Sequence, residues 1–305
     1  MNKTPAFKSQ SGATLTNWLV SRWNSFDEDS RVKCFVLLDV APLSRAELQS
    51  ALDHFTQEGA LVATNIYGDL DGLDIAKFGP RLIEVGQNLL PFVAELSHQK
   101  HNVSFIFSER SVEGLLAHLQ GIREVLLPDG SQALFRFQDV NVLSNLAQIL
   151  TPGMTNKVLG SAVLWVVPDV CGCVYELKPR PGFVRNGELR FEKRTFEELN
   201  DRLLVFTVID QINEVDSSVL SGMSRCEQRD AVAKKLDTAR KAGLQASSDL
   251  ALFAVLSMQL PPDFHQAEPF LSAIRKAKLG EMTFSDAIGR VSQAEWDQWN
   301  EKYAA

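Results

Sequence analysis

The stretch LPDGSQALFRFQDVNVL, residues 127–143, decides how the first half of this chain is read. Pro-Asp-Gly between two extended runs spells a tight hairpin, because glycine accepts the positive φ that such a turn demands. Strands near 123–127 and 132–138 should therefore pair. Alternation puts Ala133, Phe135 and Phe137 on one face of the second strand, and Leu134, Arg136 and Gln138 on the other. Asp139 then accepts from the free N–H of Asn141 or Val142, capping a helix that runs to about Leu150.

Outward from this hairpin, the flanking segments alternate between strand and helix. Upstream, CFVLLDV (34–40) reads as a strand buried on both faces. Ser44 and Glu47 form a capping box for a helix reaching about Glu58, and ALVATNIY (60–67) reads as the next strand. The glycine- and aspartate-rich GDLDGLDIAKFG (68–79) reads as a functional or mobile loop. Strand RLIEV, a helix over 88–99, strand NVSFIF and a helix over 111–120 lead back to the hairpin. Downstream, SAVLWVVP (161–168) is another apolar strand, and CGCVYELKP with GFVRNGELRFEK extends a sheet or forms an arm. An amphipathic helix through Leu15, Trp18, Leu19 and Trp23 precedes all of this, behind a first dozen residues expected to be disordered.

Beyond about residue 192 strand patterns stop. Thr195 and Glu198 form a capping box for a helix through Leu199, Leu203, Phe206 and Ile209. Ser224 and Glu227 open another helix, with Ala231, Leu236 and Ala239 on its face. Further helices follow over 248–258 and 268–278, and two short ones begin at Thr283 and at Ser292 with Glu295. The expected organisation is a tail and helix (1–30), an α/β (α+β) lobe with a mixed sheet (31–192) and an all-helical lobe (193–305).

With 45% hydrophobic and 23% charged residues over 305 positions, the composition is that of a globular protein with a real core. A net charge of −7 argues against nucleic acid or an anionic membrane as the main partner. The N-terminus lacks an apolar stretch fit for a signal peptide, and no run of about 18 apolar residues occurs, so a cytoplasmic protein without membrane insertion is expected. The four cysteines, Cys34, Cys171, Cys173 and Cys226, do not form a paired CxxC framework; Cys171 and Cys173 would share one face of an extended segment, which suits a metal or redox role, but they read as small apolar residues in or near a strand.

Several pieces occur together in a recognisable order: FVLLDVA (35–41), NIYGDLDG with FGPRLIEV (65–85), Ser111-Val-Glu leading to LLAHLQ (115–120), and the hairpin itself. In this order the first lobe resembles the adaptor, or effector-chaperone, family of bacterial type VI secretion systems, once catalogued as a domain of unknown function. The chain departs from that family's pattern at Val40, Gln138 and Val140, and LGSAVLW (159–165) lacks a Gly-Pro. The resemblance implies a non-enzymatic protein of the bacterial cytoplasm with no cofactor. It would bind one toxic effector in the producing cell and present it to the spike protein of the secretion system. Two other readings are an immunity-type protein that binds a toxin, and a hydrolase.

The motif residues carried by the resemblance are Asp39, Gly79, Pro80, Asp129, Gly130, Arg136, Phe137 and Asp139, all read as structural. No catalytic, cofactor-binding or metal-ligating residue is assigned, and the partner-binding residues are left open. Arg136 meets either solvent or a carboxylate, with Asp139, Asp39 and Glu84 as candidates; a buried bidentate pair is the expectation, with direct contact to a partner as the alternative. Asp39 ends an apolar strand, as a ligand group or as the residue ordering the turn into Pro42 and Ser44. His98 and His101 read as a solvated helix end, and His118 as a satisfied histidine within an apolar helix. There is no GxSxG elbow and no phosphate-binding glycine loop after a strand. Trp296 and Trp299 are expected to close the core of the helical lobe.

Overall fold

The computed structural model describes residues 4–26, 31–60, 63–70, 74–185 and 187–303. It divides into two compact units at Leu199/Asn200. The first is α+β, as the order of strand and helix patterns predicts, and the second is all helical.

The strands of the first unit are β1 (Phe7–Lys8), β2 (Lys33–Leu38), β3 (Thr64–Asn65), β4 (Arg81–Val85), β5 (Val103–Ser108), β6 (Glu124–Leu126), β7 (Gln132–Leu134), β8 (Ala162–Pro168) and β9 (Cys173–Leu177). Its helices are α1 (Gly12–Asn24), α2 (Arg45–Gln57), α3 (Leu90–Lys100), α4 (Val112–Gly121), α5 (Val140–Ile149) and α6 (Pro152–Leu159). Seven strands form one sheet in the order β1-β9-β8-β5-β2-β4-β3, with every pairing antiparallel. Strand β2 lies inside it between β5 and β4, and Cys34 to Leu38 are buried in succession, as the continuous apolar run predicts. Burial of the Cys34 thiol pushes its pKa far up.

One sheet face carries Cys34, Val36, Leu38, Ile83, Val85, Phe105 and Phe107, which pack with Leu15 and Leu19 of α1, Phe55 of α2 and Val93 of α3. Helix α1 lies beside α3, and α5 lies along β8 and β9. Ser11, Ser44 and Ser111 cap α1, α2 and α4 through the N–H groups of Thr14, Glu47 and Gly114. On the second sheet face the Trp165 indole N–H donates to Ser104 Oγ at 2.9 Å, satisfying a polar atom that burial would otherwise strand.

Two expectations fail in this unit. The segment before α1 is ordered from Thr4 on: Phe7 pairs with Val174 of β9 and stacks on Trp18 at 5.7 Å, so an open sheet edge and an aromatic partner hold it. Residues 61 and 62 of the expected strand over 60–67 lie outside the described residues, and among the described ones only Thr64–Asn65 pair as strand, with Leu82 and Arg81. Within the glycine-rich loop, Asp74–Phe78 form a 3-10 turn; residues 71–73 lie outside the described residues.

Helix α7 (Lys193–Asp216) contains the division between units. It begins two residues before Thr195, and the Phe196 N–H already donates to Glu192 O, so Thr195 lies within the helix and does not cap it. The second unit continues with α8 (Arg225–Ala242), α9 (Ser247–Gln259), α10 (Phe270–Leu279), α11 (Phe284–Gly289) and α12 (Gln293–Tyr303). Its core takes Leu204, Val205, Val208, Ile209 and Ile212 from α7, a stripe rotated from the expected one and leaving Leu203 and Phe206 half-buried. The box of Ser224 with Glu227 forms, as does that of Ser292 with Glu295. Trp296 and Trp299 both meet Phe270 edge to face at 5.4 Å, and Trp299 is buried, so the pair closes this core.

Candidate functional site

The motif residues converge on one end of the large sheet, where β2 leaves it, and on the small hairpin packed beside it. Leu127 to Gly130 make the predicted turn: the Gly130 N–H donates to Leu127 O at 3.0 Å, with Gly130 at φ +86°. Asp129 Oδ1 accepts from both the N–H and the hydroxyl of Ser131, which holds its carboxyl below the usual range. Strands β6 and β7 then pair from Glu124↔Leu134 to Leu126↔Gln132.

Phe135 and Phe137 turn inward together, as alternation predicts. Phe137 meets Trp165 of β8 edge to face, and Phe135 meets Phe191 at 5.6 Å. Past Leu134 the strand gives way to a turn, and Gln138 departs from the expected face: it is buried and accepts from the Tyr67 hydroxyl at 3.3 Å. Asp139 Oδ1 accepts from the Asn141 N–H at 2.9 Å and caps α5, as predicted.

Arg136 is placed differently from expectation. Its side chain is 52% exposed, and its contact with Asp139 is a single one at 3.4 Å. Glu84, on β4, is engaged by Lys33 at 2.9 Å. The turn after Leu134 lifts Arg136 outward, so the buried bidentate pair does not form.

Asp39 is buried, and its Oδ1 accepts from the Ala41 N–H at 3.1 Å, ordering the exit from β2. Asn102 holds the same point from β5's end, its Nδ2 donating to Asp39 O and its O accepting from the Asp39 N–H. Burial raises the Asp39 carboxyl above the usual range; the Ala41 N–H opposes that, Asp139 adds to it and Arg136 works against it. Burial likewise raises the Tyr67 phenol, with Gln138 opposing.

Gly79 and Pro80 support this corner from the approach to β4. A Cβ on Gly79 would lie 2.0 Å from Asn65 Oδ1 and 2.7 Å from the Tyr67 Cβ. Asn65 is itself committed, accepting from the Tyr67 N–H and donating to Ala76 O. Pro80 O accepts from the Ile66 N–H, and Arg81 donates to Gly79 O at 2.8 Å. Beside them Phe78 is exposed, and Ile75 is partly so. Tyr67 and Asn65 sit inside the quoted NIYGDLDG, but nothing in their spacing marked them as the pieces that join the loop to the hairpin.

The histidines stand apart from this corner. Helix α3 ends at Lys100, and His101 takes the left-handed conformation after it, so His98 and His101 do not share a helical face. His118 Nε2 bonds Val158 O at 2.9 Å, and burial lowers its pKa, favouring neutral imidazole as the donor. Cys171 and Cys173 flank the turn into β9, where Asp169 Oδ1 accepts from both N–H groups at 2.8 Å.

Chemically, the corner commits the Asp39, Asp129, Asp139 and Asn65 side chains to backbone groups and pairs Tyr67 with Gln138, while its aromatic groups join hairpin to sheet. Residues 34–157, which contain every motif residue named above, match the family model described as Domain of unknown function (DUF4123). No curated protein and no solved structure matches the chain. Among the described residues, no helix is long and apolar enough to cross a membrane.

Proposed function

We propose that this chain is an adaptor that binds a type VI secretion effector in the bacterial cytoplasm and helps load it onto the secretion spike protein. The observation that carries this reading is the ordered set of motif pieces within residues 34–157, the span matched by the family model. Its supporting geometry is a corner whose carboxylates order turns: Asp39 serves Ala41, Asp129 serves Ser131 and Asp139 serves Asn141. Such a corner fits a framework for protein binding. The chain then works by mass action, stabilising the bound form of its cargo without chemistry of its own or a cofactor.

Co-purification of the tagged full chain with the products of genes encoded beside its own tests the proposal. An adaptor brings down both an effector and a spike protein. Recovery of a toxin alone selects an immunity-type protein, and recovery of neither, with turnover of a substrate, selects an enzyme.

A further inference from the structure

Between β9 and α7 the chain runs through an arm, KPRPGFVRNGELR (178–190), whose backbone is held from below. Asn156 of α6 is 1% exposed and spends its whole amide on this arm. Its Nδ2 donates to Arg180 O at 2.8 Å and to Phe183 O at 2.9 Å, and its Oδ1 accepts from the Arg180 N–H at 2.7 Å. Lys157 adds a bond from Nζ to Glu188 O at 2.7 Å.

Leu189, near the end of the arm, is buried, but the tip does not turn its apolar side chains inward. Phe183 is 50% exposed and Val184 73% exposed, at the tip of the held segment. Exposed apolar residues on a flexible loop are ordinary; on a backbone pinned by a buried amide they form a preorganised surface.

The charge around them is unlike that of the chain. Residues 178–190 carry Lys178, Arg180, Arg185 and Arg190 against Glu188, in a protein of net charge −7. Lys178 is engaged by Glu176 at 2.6 Å, and Arg190 meets Glu188 at 3.6 Å. Among the described residues neither Arg180 nor Arg185 has a carboxylate within ion-pair distance; Arg185 donates only to Gly160 O, at 3.4 Å. Two guanidinium forks thus flank an apolar pair with their donors largely unspent.

We propose that residues 179–185 are a docking element for an acidic stretch of another protein chain. That stretch seats Phe183 and Val184 in an apolar socket while its carboxylates meet Arg180 and Arg185. Nucleic acid and anionic membrane also carry anions, but their charge extends far beyond the two guanidinium groups and would meet the acidic remainder of the chain, whereas a short acidic segment need not. Two exposed apolar side chains are too few to insert into a bilayer, whereas they suit a protein socket. This inference stands apart from the adaptor reading.

The test places the photo-crosslinker p-benzoylphenylalanine at position 184 of the full chain, in cells that naturally produce it, and maps the linked residues by mass spectrometry. The expected result is linkage concentrated on one Asp/Glu-rich segment of one protein. Arg180→Glu with Arg185→Glu should lower that yield at least tenfold with no change in melting. Arg180→Gln alone should lower it in the same direction. Linkage to lipid or nucleic acid, linkage to neutral or basic segments, a yield untouched by these changes, or no linkage overturns the proposal.

Discussion

Phe137 and Trp165 meet edge to face with ring centroids 6.1 Å apart, and this contact joins the small hairpin to the second face of the large sheet. Trp165 is itself oriented by Ser104, so one aromatic step links β5, β8 and the start of α5. Replacing Phe137 with alanine removes a wholly buried ring from that joint. The expected loss is about 3–5 kcal/mol of folding free energy, read from urea unfolding monitored by tryptophan fluorescence. A loss below about 1 kcal/mol would show that the hairpin is held elsewhere.

Gly79 tests the corner from the opposite side. Alanine there forces its methyl group into Asn65 and Tyr67, and the backbone on both sides is already committed to hydrogen bonds. Gly79→Ala should destabilise by about 1–3 kcal/mol, as overpacking does. Thermal melting would show it, and an unchanged midpoint would mean that the loop yields freely.

Arg136 should behave in the opposite way. Its exposed, single contact with Asp139 is worth little, so Arg136→Ala should move stability by less than about 0.5 kcal/mol. Urea unfolding of the variant beside the natural chain decides this. A fall of several kcal/mol would restore the buried-pair reading that the exposure argues against. An unchanged midpoint with lost co-purification of partners would assign Arg136 to binding.

Asp39 gives the pH dependence. Burial raises its folded-state pKa, so the folded chain holds the proton more tightly than the unfolded chain does. That contribution is fully present below the ordinary carboxylate range, near pH 4, and is lost as pH rises through the raised value. At neutral pH the buried charge is a cost, and Asp39→Asn removes it while its amide oxygen can still accept from Ala41. Melting curves should place this variant above the natural chain at pH 7, with the gap closing toward pH 4. A variant that melts lower at pH 7 would instead assign the ionised carboxylate a stabilising role.

Much of this architecture was legible from short-range chemistry. The Pro-Asp-Gly turn, the Asp139 cap, the serine capping boxes and the buried strand β2 all follow from residues within a few positions of one another. What failed was of two kinds. Phe7 and Trp18 find each other only because β9 leaves an edge for Phe7 to pair with, a long-range fact that a polar N-terminal composition concealed. Thr195 satisfies a capping pattern that Lys193 and Arg194 pre-empt by starting the helix earlier. At the candidate site, the alternation rule placed Phe135 and Phe137 correctly and then misplaced Gln138, because the strand had already ended. Asn156 carried no local signal at all: its partners lie 24 and 27 residues away, on an arm with no regular structure.

Asn156 also separates two tasks that most surface loops combine. Because one buried amide grips the arm through backbone atoms of Arg180 and Phe183, the way the arm is held is indifferent to the side chains at its tip. Substitutions at positions 183 and 184 can alter what the arm offers to a neighbour while its mounting stays the same. Recognition and shape are thereby written at different places in the chain, and a change in partner preference need not be a change in fold.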